Sequence, residues 1–419
     1  MKKTAFFLIF ILALCASSVS VAQESTANFN WQEATQAYLD TMSPEQKAKS
    51  DSYFEGGYWL MLWNFLFGLF VAWLLLAKGM SNWMYQNAQK ISGKTNLVNL
   101  FYVIQYILVT FLIGYPLSLY EDFFREHQYE LSNLTFGAWM GEQAKGLIIS
   151  IILLSLLVML LFMAMRKAKE QWWLWGTGGS LIFLLIIMFL APVFLAPLFN
   201  TYYPLKDEAV KEDILSMARA NDVPVDNVYQ FDASKQSKRI SANVSGIGST
   251  IRISLNDNLL NRCSKEEVKA VMGHELGHYV LNHSYKGIMS FGILILLCFA
   301  FVQWAYQKMI EKYGAHWHID GISDIRAFPL FVALFSVFFF FATPFTNTII
   351  RTQEMESDIF GLNAAREPDG FASTAIKLSE YRKIDPGYWE EILFFDHPSG
   401  RVRVETAMKW KAENLKGGN

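Results

Sequence analysis

Gly273-His274-Glu275-Leu276-Gly277-His278 carries two histidines four residues apart, with a glutamate directly after the first. On a helix that spacing stacks both imidazoles on one face about one turn apart, where their nitrogens can reach a single Zn²⁺. Glu275 then faces a water beside the metal rather than the metal itself, which suits a general base. The helical setting is written nearby. Ser264-Lys265-Glu266-Glu267 has the form of a capping box, and Val268, Val271, Met272, Leu276 and Tyr279 follow at helical spacing. The plain alternative is a helix with two histidines satisfied by other partners.

Two histidines leave a catalytic zinc one protein ligand short. Arg351-Thr352-Gln353-Glu354-Met355-Glu356-Ser357-Asp358 follows an apolar run and continues it as a helix. Glu354 and Asp358 lie four apart and share a face, while Glu356 points elsewhere. Glu354 is thus the candidate third ligand, and Asp358 the carboxylate placed to accept a hydrogen bond from a ligand imidazole. A solvated, charged helix start is the other reading of the same spacing.

The elements that must position these residues are set by a strongly apolar chain. Of 419 residues 53% are hydrophobic and only 18% charged, a balance that points to a polytopic membrane protein. A net charge of −2 gives no bulk attraction to nucleic acid. Cys15, Cys263 and Cys298 form neither a disulfide framework nor a cysteine metal site. Residues 1–22 read as a signal sequence, with Lys2 and Lys3 before an apolar stretch and Ser20-Val21-Ala22 as the cleavage site; an uncleaved anchor is the alternative. Residues 23–57 form an exported N-terminal arm. Residues 58–199 hold four spans, approximately Tyr58–Ala77, Val98–Tyr120, Gly146–Met165 and Trp172–Phe199, the last interrupted by Pro192 and Pro197. Residues 287–350 hold two more, Gly287–Tyr306 and Ala327–Ile350. Trp59, Trp63, Trp73, Trp172, Trp173 and Trp175 sit near span ends, as an interfacial belt requires. Residues 200–286 and 351–419 are the two halves of a soluble domain. In the first, Asp207–Asn221 has helical spacing, and Val228–Asp232 and Thr250–Leu255 read as short strands.

Loop charges give an orientation. Lys78, Lys90 and Lys94 after the first span, and Arg166, Lys167 and Lys169 after the third, are basic; the intervening Glu121–Lys145 loop is acidic. Positive-inside logic puts the basic loops in the cytoplasm, and the His274 helix and the C-terminal Asn419 on the opposite side.

Further motifs accompany the metal candidates. They are the Pro-Val-Phe-Leu-Ala-Pro-Leu-Phe-Asn run at 192–200, Ser241-Ala242-Asn243, Ile251 to Leu260, Asn282-His283, and His397-Pro398 with Arg403. Together with Arg351-x-x-Glu354-x-x-x-Asp358, they resemble the membrane metalloproteases of the type I CAAX prenyl protease family, to which the bacterial heat-shock membrane protease is related. The resemblance runs over most of the chain from Tyr58 on. It implies one Zn²⁺ per chain held by His274, His278 and Glu354, with Glu275 as general base. It also makes His397 and Arg403 candidates for stabilising an oxyanion, and puts Asn243 beside an edge strand to which a substrate peptide adds. The family's catalytic side is usually cytosolic, whereas the export signal argues for a periplasmic site. The acidic loop matches only loosely, and the CAAX specificity is not carried over.

The expectation is a multi-span α-helical membrane protein, of a bacterial inner membrane, bearing a gluzincin-type α+β metalloprotease domain. Its substrates would be peptides or membrane and secreted proteins. The rivals are a catalytically silent zinc-binding membrane chaperone and a transporter. A transporter would carry several charges within its spans, and these spans carry almost none. His283 reads as a structural residue closing the catalytic helix, and His316 and His318 as surface-loop histidines.

Overall fold

The computed structural model describes residues 29–246 and 251–415. The expected signal sequence, 1–22, and the C-terminal Asn419 lie outside them. Helix α1, Trp31–Leu39, is capped by Asn30, whose side chain accepts from the N–H groups of Gln32 and Glu33. Helix α2, Pro44–Ala77, opens with a Ser43–Gln46 capping box and runs unbroken into the first span. The described part of the expected arm is therefore helical, and Trp31, Ala34 and Tyr38 pack onto the soluble domain.

Helices α3 (Met80–Ile91), α4 (Thr95–Ser118), α5 (Phe136–Ala168) and α6 (Trp172–Leu190) complete the first membrane region. Among the described residues, five continuous helical stretches are long and apolar enough to cross a membrane, the third of them the 64 residues Phe136–Phe199. That stretch reverses at Lys169, with φ 46° and ψ −112°. A Cβ at Gly176 on α6 would lie 3.3 Å from Leu161 on α5, so the two helices form a hairpin. All six apolar runs lie on helices. Trp172 departs from the expected belt. It is fully buried against Phe299, Tyr306 and Phe331, and the Phe299 ring it packs on sits over Gly176, while Trp59, Trp63, Trp73 and Trp175 remain exposed. Proline replaces an intrahelical donor at 192, and the chain answers with a π-helical turn at Ala191–Leu195. The Pro192 carbonyl accepts from Arg252 Nη2 at 2.6 Å, tying the soluble domain to the end of α6.

The soluble domain is α+β. Strands β1 (Tyr202–Pro204), β2 (Val228–Phe231), β3 (Ala242–Ser245) and β4 (Arg252–Asn256) form one sheet in the order β1-β2-β4-β3. Strand β2 runs parallel to β4, while β1 pairs antiparallel with β2 and β3 antiparallel with β4. Helix α7, Glu208–Ala220, is capped by Asp207 and buries Val210, Ile214, Leu215, Met217 and Ala218. Those residues join Ile253, Leu255, Met272 and Leu276 in one core. Helix α8, Lys265–Val280, follows the sheet and carries the histidine motif. Helix α9, His283–Tyr313, re-enters the membrane region, and α10, Phe328–Ala365, returns and continues past it to Glu354 and Asp358. Helices α11 (Pro368–Leu378) and α12 (Gly400–Asn414) close the domain, packing with α1 around Ala270 and Leu362.

Candidate active site

The expected capping box forms. Ser264 Oγ accepts from the Glu267 N–H, and the Glu267 carboxylate accepts from the Ser264 N–H at 2.7 Å. It fixes the start of α8, so the positions of His274 and His278 depend on where α8 lies against α10. That contact is made of backbone. A Cβ at Gly361 would lie 2.7 Å from His274 N, and one at Gly277 would lie 2.6 Å from Ser357 Oγ. Ser357 Oγ fills the gap by donating to the His274 carbonyl at 2.7 Å. Only glycine allows so close an approach, and it brings Glu354 across to the two histidines.

His274 Nε2 and His278 Nε2 are 3.1 Å apart. Glu354 Oε2 lies 3.3 Å from the first, and Glu354 Oε1 3.4 Å from the second. A tetrahedral ion with bonds of about 2.0–2.1 Å holds its ligand atoms about 3.3 Å apart. The His–His separation is close to such an edge, each imidazole faces one oxygen of the Glu354 carboxylate at a similar distance, and one atom from each residue can meet at a metal. The ring orientation agrees. His274 Nδ1–H donates to Asp358 Oδ1 at 2.7 Å, which directs Nε2 at the Glu354 carboxylate. Burial would lower the His274 imidazole, yet the bonds to Asp358 and Glu354 override it and raise it to about 10, so the two carboxylates call for a positive charge at this point, which a bound cation would supply in place of the Nε2 proton.

Glu275 lines the same cleft, a cavity of about 320 Å³ shared with His274, His278, Glu354, His397 and Arg403. Burial raises its carboxyl above the ordinary range, against the pull of the two imidazoles. A carboxylate so placed accepts a proton more readily than an exposed one. His397 donates from Nδ1 to Asp396 at 2.7 Å and presents Nε2 to the cleft, 3.4 Å from Glu354 Oε2.

Arg403, expected to stabilise an oxyanion, lines the cleft and is held on two carboxylates. The side chain is buried, with Nε on Asp358 Oδ2 and Nη2 on Glu354 Oε2, each at 3.0 Å. Two buried carboxylates on one helix face demand a cation, and α12 supplies it. Arg382 brings a second guanidinium to the cleft, and among the described residues no carboxylate pairs with it. Burial and the nearby Arg403 press against its charge. Sequence reading missed it, since a loop arginine shows no periodicity. Asn243 lies on β3, opposite Ser254, and β3 is the sheet edge nearest the cleft, which Ser241 and Ala242 line. His316 and His318 lie far along the chain, in the turn between α9 and α10.

Comparison with known proteins finds relatives along most of the chain. The description "Peptidase family M48" matches residues 204–411, and "CAAX prenyl protease N-terminal, five membrane helices" matches 25–201. The chain is 28% identical over 370 residues to a Bacillus subtilis protein named uncharacterized metalloprotease YhfN, covering 88% of this chain and 87% of that one. It is 26% identical to CAAX prenyl protease 1 of Saccharomyces cerevisiae, over 73% of this chain and 70% of the relative. The crystal structure of S. mikatae Ste24p superposes with a TM-score of 0.76 at 21% identity, covering 90% of this chain and 94% of that chain, and shares its fold. With two adjoining matches running from residue 25 to 411, the chain belongs to the M48 family of membrane metallopeptidases.

Proposed function

We propose that this membrane metalloendopeptidase is zinc-dependent and cleaves peptides or membrane and secreted proteins on the side of the membrane away from the cytoplasm. The observation that carries the metal assignment is the convergence of His274 Nε2 and His278 Nε2, 3.1 Å apart, on the Glu354 carboxylate, whose Oε2 lies 3.3 Å from the first and Oε1 3.4 Å from the second. Two imidazoles and one carboxylate at those separations suit Zn²⁺. When bound, the ion supplies Lewis acidity that polarises the scissile carbonyl and acidifies water. The remaining steps belong to the chain. Glu275 takes the proton of the attacking water on its carboxylate and passes it to the leaving amine. Nε2 of His397 and the guanidinium of Arg382 donate to the negative charge that develops on the carbonyl oxygen. Arg403 holds Glu354 and Asp358 in register. The substrate strand adds to β3, beside Asn243, through backbone hydrogen bonds.

The orientation rests on charge and on where the loops gather. Arg166 Nη2 donates to Asn96 at 2.9 Å, and Ser81 donates to the Arg326 carbonyl at 2.6 Å. The basic turns after the first and third spans and the α9–α10 turn thus share one end of the bundle, opposite the cleft. Lysine and arginine at that end favour the cytoplasm.

The test is a metal count on purified protein together with cleavage of casein or a quenched peptide, for wild type and Glu275→Gln. The variant is expected to keep its metal and lose about 10²–10⁴-fold in kcat. Metal lost with the glutamate, or activity within about tenfold of wild type, overturns the general-base role.

A further inference from the structure

The two histidines of the motif are oriented by different means. His274 has a carboxylate directly on Nδ1. His278 has another histidine: its Nδ1 lies 2.9 Å from Nδ1 of His283. His283 arrives there because Asn282 takes a left-handed conformation, φ 58° and ψ 38°, between α8 and α9. Asparagine is one of the few side-chain-bearing residues that tolerate this region. The turn folds the first residue of α9 back onto α8, and His283 is left 4% exposed. Its other nitrogen, Nε2, lies 3.0 Å from Glu356 Oε2, which Lys286 Nζ also holds at 2.6 Å.

Proton placement follows from what each group can do. The Glu356 carboxylate, paired with Lys286, only accepts, so the His283 proton sits on Nε2. A neutral His283 then offers a lone pair at Nδ1, and two ring nitrogens 2.9 Å apart share one proton. That proton belongs to His278 Nδ1, which leaves the His278 lone pair on Nε2, facing His274 Nε2 and Glu354 Oε1. We propose that His283 and Glu356 are positioning residues that fix the tautomer and ring orientation of His278, so that its Nε2 lone pair is directed at the metal. The proposal rests on the metal-site reading above. It replaces the expectation that His283 only closes the helix, and it gives Glu356, which faces away from the ligand triangle, a part in metal binding.

The experiment uses full-length protein in detergent. It measures Zn²⁺ affinity by competition with a chromophoric chelator and the visible absorption of the Co²⁺-loaded protein. His283→Phe keeps a ring but offers no acceptor; His283→Asn puts Oδ1 where Nδ1 stands; Glu356→Ala removes the far anchor; Glu354→Ala is the benchmark that loses a ligand. His283→Phe is expected to weaken Zn²⁺ about 10–100-fold and to alter the Co²⁺ spectrum. Glu356→Ala shifts both in the same direction by less, and His283→Asn restores both to within about threefold of wild type. Should His283→Phe fold poorly, the Glu356→Ala result alone decides, since its side chain is 43% exposed and carries little packing. Unchanged affinity and spectrum in His283→Phe and Glu356→Ala, or a His283→Asn as weak as His283→Phe, overturns the proposal and leaves the metal site standing. A wild type that takes up neither ion overturns both.

Discussion

Replacing Gly361 with alanine tests the geometry of the site without touching any residue that could bind a metal. In an uncrowded helix the change would stabilise by up to about 1 kcal/mol, since alanine is the better helix former. Here the new Cβ would lie 2.7 Å from His274 N, 2.9 Å from His274 Cα and 3.0 Å from Gly273 C. All three are backbone atoms and cannot rotate aside. Ordinary contacts begin near 3.5 Å, so α8 and α10 must separate by roughly 0.5–1 Å. Overpacking of that kind costs about 1–3 kcal/mol, which reverses the sign expected from propensity. Glu354 moves with α10 and the histidines with α8, so the 3.3 and 3.4 Å separations open together. A misplacement of about 1 Å at a reacting centre costs on the order of 10²-fold. The assay is kcat/KM on a quenched peptide, with thermal unfolding alongside. Gly287→Ala serves as control, because nothing lies within 4 Å of a Cβ there. Gly361→Ala at wild-type stability and within about threefold of wild-type kcat/KM would falsify the claim that this approach sets the donor spacing.

Arg403→Ala strands two buried carboxylates, so unfolding measured with chelator present should show a loss of about 3–5 kcal/mol, much of it restored by added Zn²⁺. No difference between metal-free wild type and variant removes Arg403 from the positioning role. His397→Ala and Arg382→Ala should instead lower kcat by on the order of 10²-fold with KM nearly unchanged; an effect confined to KM reassigns them to substrate binding. C-terminal reporter fusions address orientation, with active alkaline phosphatase and a dark fluorescent protein expected; the reverse pattern puts the cleft in the cytoplasm.

What could be read in advance was local. The histidine motif, its capping box and the Glu354–Asp358 pair are set by spacings of three and four residues, and each appears on the helix that its spacing requires. The sheet was only half legible. Ala242-Asn243-Val244-Ser245 is too short and too polar to alternate, yet it forms the edge beside the cleft. Trp172 read as an interface residue and is buried because Phe299, which Gly176 lets approach, and Tyr306 on α9 cover its ring. Arg403 could be placed near the site but not aimed, since its partners lie 45 and 49 residues away in sequence. The His283–Glu356 contact joins residues 73 apart and depends on a left-handed Asn282, which no periodicity reveals. Nor does the motif say that its glycines are contact surfaces, because that depends on the crossing with α10.

Helix α10 spans 38 residues, about 57 Å of helix against a hydrocarbon core of about 30 Å. Its outward ring Phe345, 67% exposed, precedes Glu354 by nine positions, at most about 14 Å along the axis. The cleft is therefore carried on a helix continuous with a membrane-length segment rather than joined to it by a loop. A polypeptide anchored in the same bilayer covers that height with about four extended residues. For a substrate anchored in that bilayer, as the proposed function allows, such a helix would act as a ruler, with the bond that meets the cleft set by its distance from the lipid.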